Sequence, residues 1–361
     1  MGTNSVSRRK DQHIALANQQ YHQESARDFE DMRFVHHSLP QIACEEIQLE
    51  TRIAGLEFAF PFFVNAITGG SERAYEVNHR LARLARETGI ALASGSVSAA
   101  MKDPSLARSF QVLRKENPDG VIFANLGAHH TLDNAKKAVD LLEADALQLH
   151  VNAPQEMVMP EGDRDFRSWL RNIEDIVAHL DVPVIVKEVG FGMSREAIRL
   201  LQSVGVDMID ISGTGGTDFA KIENHRRPLA DRYDFLEGWG QSTVHSLLEA
   251  ASVNQSEKTT IIASGGIKNG LDIVKSLALG ASLVGMSNHF LHLVRKEEGL
   301  LLAIAEVERL QDQIRTVMAL LGAKTPKNLT KTDILFGWST HHWCQMRGID
   351  EIYYANRSSS L

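Results

Sequence analysis

Within one short stretch, LQLHVNAPQE, the chain places His150, Asn152, Gln155 and Glu156. An imidazole, two carboxamides and a carboxylate offer a titratable base, neutral donors and acceptors, and an anionic metal ligand. Such a set suits a polar binding pocket, a metal site or an ordinary solvated loop. If the preceding apolar run is a strand, alternation puts His150 and Asn152 on one face. Gln155 and Glu156 then follow beyond Pro154, in a segment that reads as loop. Mg2+ often takes only one or two protein carboxylates, with phosphate oxygens and waters completing its shell. Glu156 is therefore either a hard-metal ligand or a solvent carboxylate. Zinc is disfavoured by the single histidine and the lack of cysteine.

Other residues carry chemistry of a related kind. Lys187 ends the apolar run PVIV, and its neighbour Glu188 must face the opposite way in a strand. A buried ammonium there calls for some other anionic or electron-rich partner. The loops SGTGGT (212–217) and SGGIKNG (264–270) leave backbone amides unobstructed, with Ser212 and Thr217 adding hydroxyls. Because the second loop precedes a helical pattern, its amides and the helix start suit a phosphate. Near the N-terminus Arg8, Arg9, Lys10 and His13 read either as a solvated end or as a clamp for a diphosphate. The pairs His36–His37, His129–His130 and His341–His342 lack the spacing of a helical metal site, and surface or structural roles are expected for them.

These residues need elements to hold them. From residue 61 the chain repeats a short apolar run, a Gly-containing or polar turn, and an amphipathic helical stretch. Eight runs do so: PFFVNA (61–66), IALASG (90–95), GVIFANLG (120–127), DALQLHV (145–151), PVIVKEVG (183–190), DMIDISG (207–213), TIIASGG (260–266) and ASLVGM (281–286). Runs such as VIFA and TIIA have no polar face, as in parallel strands covered on both sides. Eight even units predict an α/β protein with a (β/α)8 TIM barrel over 61–361, an open doubly wound sheet being the rival. The polar and glycine positions then gather at the C-terminal strand ends, around one rim. Residues 1–60 stand outside the repeat as an N-terminal extension or lid, with a hairpin in EEIQLETRIAGLEFAFP. A long C-terminal helix over 297–321 carries an apolar seam of Leu300, Ala303, Val307, Leu310, Ile314, Val317 and Leu321. It packs either on its own barrel or on another subunit.

Composition narrows the class. The chain has 361 residues, 43% hydrophobic and 23% charged, with a net charge of −8. Without a basic face there is no case for nucleic-acid binding. Two distant cysteines, Cys44 and Cys344, make no disulfide framework, and no leader or membrane-length apolar run is apparent. A cytoplasmic protein with no stable membrane association is expected.

The stretches RRKDQHI (8–14), NAITGG, ANLG, LHVNAPQE, VKEVGFG, IDISGTGGTDFAKIENHR, WGQST and IIASGGIKNGLDIVKSLALGASLVGM, in that order, resemble the flavin-dependent, type 2 isopentenyl-diphosphate isomerases. The resemblance implies interconversion of isopentenyl and dimethylallyl diphosphates with FMN, Mg2+ and a reductant such as NADPH, and a homo-oligomer, tetrameric or larger. It implies flavin contacts at Ala66, Ile67, Thr68, Ser96, Asn125, Lys187, Ser212, Thr217, Gly266 and Lys268, with Met286 and Ser287 near the flavin phosphate. Arg9, Lys10, His13 and His150 would meet the diphosphate, Asn152 and Gln155 would line the substrate side, and Glu156 would take Mg2+. His150, Asn152 and Gln155 are thereby the catalytic candidates. The implied reaction is an allylic proton shift, with acid–base work expected at N5 of reduced FMN. Gln155 orients substrate, since a carboxamide is no general base near neutral pH; Glu156 is the rival proton carrier. Where many members read GSQR, this chain reads GSVS, so Ser98 stands in the place of an arginine that would meet diphosphate. An FMN-dependent 2-hydroxy-acid oxidase and a non-catalytic flavin- or phosphate-binding barrel are the competing classes.

Overall fold

The structure is a computed structural model that describes residues 3–21, 27–254 and 258–360. Its centre is a closed barrel of eight parallel strands. We number these β1 (Phe62–Val64), β2 (Leu92–Ala93), β3 (Ile122–Gly127), β4 (Ala146–His150), β5 (Val184–Lys187), β6 (Met208–Asp210), β7 (Thr260–Ser264) and β8 (Leu283–Met286). Each falls inside one of the eight apolar runs, and β8 returns to pair with β1 through Val284, Gly285 and Met286 against Phe62, Phe63 and Val64. The ring is closed, so the open-sheet rival does not apply.

Strand alternation sorts the side chains into two cores. Outward residues such as Val64, Leu147, Leu149, Val186 and Ile209 join the helices in the main apolar cluster. Inward residues Phe63, Ala93, Phe123, Ala146, Ile185, Met208, Ile262 and Leu283 fill the barrel interior. Phe63 and Phe123 meet edge to face with centroids 5.5 Å apart. A short antiparallel hairpin, Thr51–Ile53 with Leu56–Phe58, plugs the bottom by adding Ile53 and Phe58 to that interior. This hairpin is shorter than the pattern at 47–58 suggested: Cys44–Glu46 forms a 3-10 turn, and Ile47 and Leu49 are buried before the strand begins.

Two residues further along each strand, the next inward position changes character. Above the apolar layer come Asn65, Gly95, Asn125, Gln148, Lys187, Asp210, Ser264 and Gly285. The strict two-residue period thus lifts every strand from an apolar floor to a polar or glycine position at its C-terminal end.

The outer helices follow local rules. Ser71 caps Glu72–Thr88 by accepting from the Ala74 amide, and that helix buries Ala74, Val77, Leu81, Leu84 and Ala85 at steps of three and four. The long C-terminal helix, Gly299–Leu320, buries Ala303, Val307, Leu310, Ile314 and Met318. It packs on Glu72–Thr88 and Gly270–Ala278 of its own barrel, so its seam is used within the chain. The N-terminal helix, Thr3–Gln20, touches Glu72–Thr88, Phe219–His225 and Asn288–Val294 beside the C-terminal rim.

Candidate active site

A cavity of about 900 Å3 opens above the polar layer, ample for a cofactor and a small substrate together. Every residue that the resemblance implied for cofactor, substrate or metal lines it, whereas Arg8 is exposed and lies outside it. From β1 and β2 come Ala66, Ile67, Thr68, Ser96 and Ser98; from β3 to β5 come Asn125, His150, Asn152, Gln155, Glu156 and Lys187. The last three strands supply Ser212, Thr217, Gly266, Lys268, Met286 and Ser287, and the N-terminal helix brings Arg9, Lys10 and His13 across the mouth.

Three local expectations need correction. Gln155 and Glu156 are not in a loop but in a short helix, Ala153–Val158, with Pro154 in its first turn, where the missing amide hydrogen costs nothing. The start of Gly270–Ala278 is not a free phosphate site. Its Asp272 amide is capped by Asn269 Oδ1, Gly270 N donates to Gln313 Oε1, and Lys268 N donates to Asp272 Oδ2. Gly265 and Gly266 of the same loop line the cavity. Finally, His129 lines the cavity and His130 Nε2 lies 2.9 Å from Ser98 Oγ, so this histidine pair belongs to the site.

The glycine loops form a tight double wall. A Cβ on Gly265 would fall 2.0 Å from the Gly213 carbonyl oxygen, and one on Gly216 would lie 2.9 Å from the Gly266 nitrogen. Only bare backbone lets the loops after β6 and β7 lie together and face a flat, polar ligand. Among the described residues, three buried polar atoms of cavity-lining side chains, Arg9 Nε, Asp103 Oδ2 and Asn288 Oδ1, have no hydrogen-bond partner, and His13 Nε2 meets only the Glu223 carboxylate. Buried polar atoms are normally satisfied, so a wall with several unpaired ones suits a polar ligand. The donor set therefore fits FMN and a phosphorylated substrate.

Electrostatics divide the cavity. Lys187 is buried and donates from Nζ to the Glu188 carbonyl, while Glu188 turns away to accept from the amides of Val189, Gly190 and Phe191. Burial lowers the Lys187 ammonium, with Asp210 and Glu188 pulling the other way. Burial, with the Arg9 charge beside it, lowers Lys10 to about 8 against the pull of Glu223. Burial also keeps His150 neutral, well below the ordinary histidine range, with Lys187, His129, Lys10 and His130 reinforcing it. Burial and His129 bring His130 down to about 4.

Glu223, which sequence reasoning missed, joins the substrate side to the lid. Gln155 Nε2 donates to its Oε1 at 3.0 Å, His13 Nε2 lies 2.9 Å from the same oxygen, and Arg226 pairs with Oε2. Burial opposes the charge on Glu223, but the His13 and Gln155 hydrogen bonds and the Arg226 charge outweigh it and hold the group near 2. The only signal was its place in GTGGTDFAKIE, one short helix beyond a glycine loop. Glu156 accepts from Asn152 Nδ2 at 3.0 Å and from the Asp163 amide at 2.8 Å, leaving lone pairs on both oxygens. Among the described residues no three acidic, histidine or cysteine side chains cluster as a metal cage. Any ion at Glu156 would share its shell with ligand oxygens.

A polar rim over a closed eight-stranded barrel, walled by paired glycine loops and a buried lysine, defines a flavin-binding barrel. Residues 113–335 match the family model of the FMN-dependent dehydrogenases. Solved structures of the same fold include a mandelate oxidase variant with a monooxide FMN adduct (TM-score 0.63, 20% identity, 90% of this chain and 92% of that one). A flavocytochrome b2 variant has a TM-score of 0.63 at 19% identity, covering 87% of this chain and 80% of that one. Curated relatives are far nearer in sequence. Isopentenyl-diphosphate delta-isomerases from Nocardia farcinica (50% identical), Streptomyces sp. strain CL190 (48%) and Staphylococcus saprophyticus (47%) align over 98%, 98% and 97% of this chain. The alignments cover 96%, 96% and 99% of those proteins. The chain belongs to the flavin-dependent, type 2 isopentenyl-diphosphate delta-isomerase family.

Proposed function

We propose that this protein interconverts isopentenyl and dimethylallyl diphosphates in the cavity between its N-terminal helix and its glycine loops. The observation that carries the reading is the split of charge across one cavity. Arg9, Lys10 and His13 face it from the lid, where Gln155 and His13 meet the low Glu223, and the buried Lys187 lines it from the end of β5. Arg9 and Lys10 supply the cations that suit a diphosphate, whose oxygens favour charge-assisted hydrogen bonds, while burial lowers His13. The glycine loops and Lys187 suit FMN.

The reaction adds a proton to the terminal methylene of the C3=C4 bond and removes one from C2, with no net redox change. FMN, held in reduced form, would supply an electron-rich surface close to the positive character developing at C3. The chain's own part is to bind, orient and exclude water. Gln155 orients the alkene, its amide direction set by donation to Glu223. Asn152 fixes Gln155 and Glu156 by donating to both. Glu156 would hold Mg2+, which would supply positive charge for the diphosphate, and NADPH would serve as reductant. His150 meets the diphosphate. We also propose a cytoplasmic homo-oligomer; Trp239, Trp338, Met346, Ile352 and Tyr353 are exposed apolar positions available to such contacts. No helix among the described residues is long and apolar enough to cross a membrane.

The test is turnover of isopentenyl diphosphate in deuterated water with FMN, Mg2+ and reductant. Dimethylallyl diphosphate carrying solvent deuterium is expected, with strong loss when 5-deaza-FMN replaces FMN. Undiminished exchange with the analogue would remove the flavin from the proton shift. Oxidation of lactate or glycolate without isomerisation would replace the isomerase reading by the oxidase one.

A further inference from the structure

Between the barrel floor and the cavity, five side chains join end to end. Asn65 Nδ2 donates to Asp210 Oδ2 at 2.7 Å, and Gln148 Nε2 donates to Asn65 Oδ1 at 2.9 Å. Asn125 Nδ2 donates to Gln148 Oε1 at 3.0 Å, and His150 Nδ1 lies 2.9 Å from Asn125 Oδ1. The chain crosses from β6 to β1, β4 and β3 before ending on β4. Asn65, Asn125, Gln148 and Asp210 are all buried, so water does not offer alternative partners.

The direction of this chain is fixed at two independent points. Asp210 already gathers Ser264 Oγ at 2.7 Å and the Ser212 amide at 3.2 Å on its other oxygen. An acceptor set of that kind requires Asn65 to present its NH2 group. Asn65 Oδ1 meanwhile accepts the Ala66 amide at 2.8 Å, and a backbone N–H cannot change roles. Gly285 makes the room for this amide, since a Cβ there would sit 2.6 Å from Asn65 Nδ2. A carboxamide carries its acceptor and its donor on opposite sides, so each one passes the direction to the next. At the far end Asn125 offers His150 an oxygen, which only a protonated Nδ1 can meet.

We propose that the chain Asp210–Asn65–Gln148–Asn125 locks His150 in its Nδ1–H tautomer and reserves Nε2, the nitrogen left for the cavity, as the ring's one proton-accepting atom. Gln148 and Asp210 do not line the cavity; they are positioning residues that act through His150. Reversing the tautomer would turn amides against the Ala66 N–H and Asp210 and leave like groups facing each other. The groups around the ring, Lys187, Lys10, His129 and His130, oppose a second proton while the cavity lacks an anion. An arriving diphosphate reverses that balance. A solvent proton then adds to Nε2, and the nitrogen changes from acceptor to donor toward a phosphate oxygen. This last step rests on the isomerase reading, whereas the tautomer does not.

Nitrogen NMR of the full-length, FMN-loaded protein labelled at histidine tests the proposal, with His150→Gln assigning the resonance. The expected wild-type spectrum has Nδ1 protonated and Nε2 bare without substrate, and both protonated with isopentenyl diphosphate. Gln148→Met cuts the chain at similar volume and should give a mixture of tautomers, with KM raised on the order of tenfold and kcat little changed. Gln148→Glu should restore the single tautomer at low pH, where its carboxyl O–H donates to Asn65 and its carbonyl accepts from Asn125. That rescue should fade as the carboxyl ionises. A wild-type ring with its proton on Nε2 overturns the proposal, even if Gln148→Met fails to fold. So does a flavin-loaded Gln148→Met protein that keeps the single Nδ1–H form. A protein with the Nδ1–H tautomer but no isomerase activity would support the chain and overturn the functional reading instead.

Discussion

Lys10 shows what one buried cation contributes at the cavity mouth. Burial and the Arg9 charge have lowered it to about 8, so the empty protein sheds this proton within the range in which enzymes are assayed. A diphosphate needs the ammonium form. KM for isopentenyl diphosphate is therefore expected to stay flat below about pH 8 and to rise above it, with Lys10→Arg removing the upward limb because a guanidinium stays charged. A KM that stays flat across pH 8 in the wild type would show that Lys10 is not a diphosphate contact. A second residue-scale case is Ser98, whose hydroxyl is held by Ser96 at 2.9 Å and His130 at 2.9 Å. One turn on, in the helix Ser98–Lys102, Lys102 also lines the cavity and brings the charge that a serine lacks. Lys102→Ala is expected to raise KM on the order of tenfold to a hundredfold with kcat unchanged, in keeping with one charged hydrogen bond. An unchanged KM would leave recognition to the N-terminal cations alone.

At the scale of elements, the barrel strands were readable because parallel strands covered on both faces appear as uninterrupted apolar runs. Their polar ends were readable for the same reason, since Asn125 or Lys187 after such a run has few places to go but the rim. The helix Ala153–Val158 was not, because it is under two turns and too short to show a period. Glu223 was equally hidden: one acid on a short helix looks like any solvated carboxylate until the fold sets Gln155 and His13 against it. Gln148 did leave a signal, a polar residue two before His150 and hence on its face, but its partners lie on other strands. The attachment of the helix Trp338–Arg347 to the barrel is another contact invisible in the sequence. Glu249, fully buried on the helix Thr243–Val253, accepts from Arg347 Nε at 2.8 Å, Trp343 Nε1 at 3.1 Å and Arg195 Nε at 3.1 Å. Burial works against its charge, but these donors hold it near 2. A carboxylate lowered by folding stabilises fully above the ordinary carboxyl range, and that stability is lost as pH falls through about 2. Glu249→Gln should cost about 3 kcal/mol at neutral pH, by leaving Arg195 without its carboxylate and Arg347 with Glu196 alone. It should also flatten the acid limb of the stability curve, read by denaturant unfolding at several pH values. Equal acid limbs in the two proteins would place the acid sensitivity elsewhere.

Across the whole molecule, the barrel and the N-terminal helix are held by different forces, and on the proposed function this would separate cofactor binding from substrate binding. The barrel has an apolar interior below and a thick apolar layer outside, whereas among the described side chains of the helix Ile14 and Ala17 are buried and Leu16 is partly so. Its attachment is polar. Gln20 exchanges two hydrogen bonds with the Asp218 backbone at 3.0 and 2.7 Å, Asp11 accepts from Ser71 Oγ at 2.7 Å, and the Ala17 carbonyl accepts from Asn288 Nδ2 at 2.6 Å. Hydrogen bonds of this kind contribute about 1 kcal/mol each, and burying one isoleucine about 2 kcal/mol, against the cost of ordering the segment. The helix is thus a closure held at little net free energy, carrying Arg9, Lys10 and His13 to a site whose glycine loops and lysine belong to the barrel. Removing residues 1–20 should therefore lower Tm by only a few degrees and leave the visible flavin absorbance in place. The same truncation should reduce kcat/KM for isopentenyl diphosphate on the order of 100-fold or more, because several charge-assisted phosphate contacts leave together. If flavin and Tm were lost along with activity, the helix would instead be part of the folding core. A truncated protein with unimpaired kcat/KM would place diphosphate recognition entirely on the barrel rim, where Lys102, Lys187 and Lys268 line the cavity.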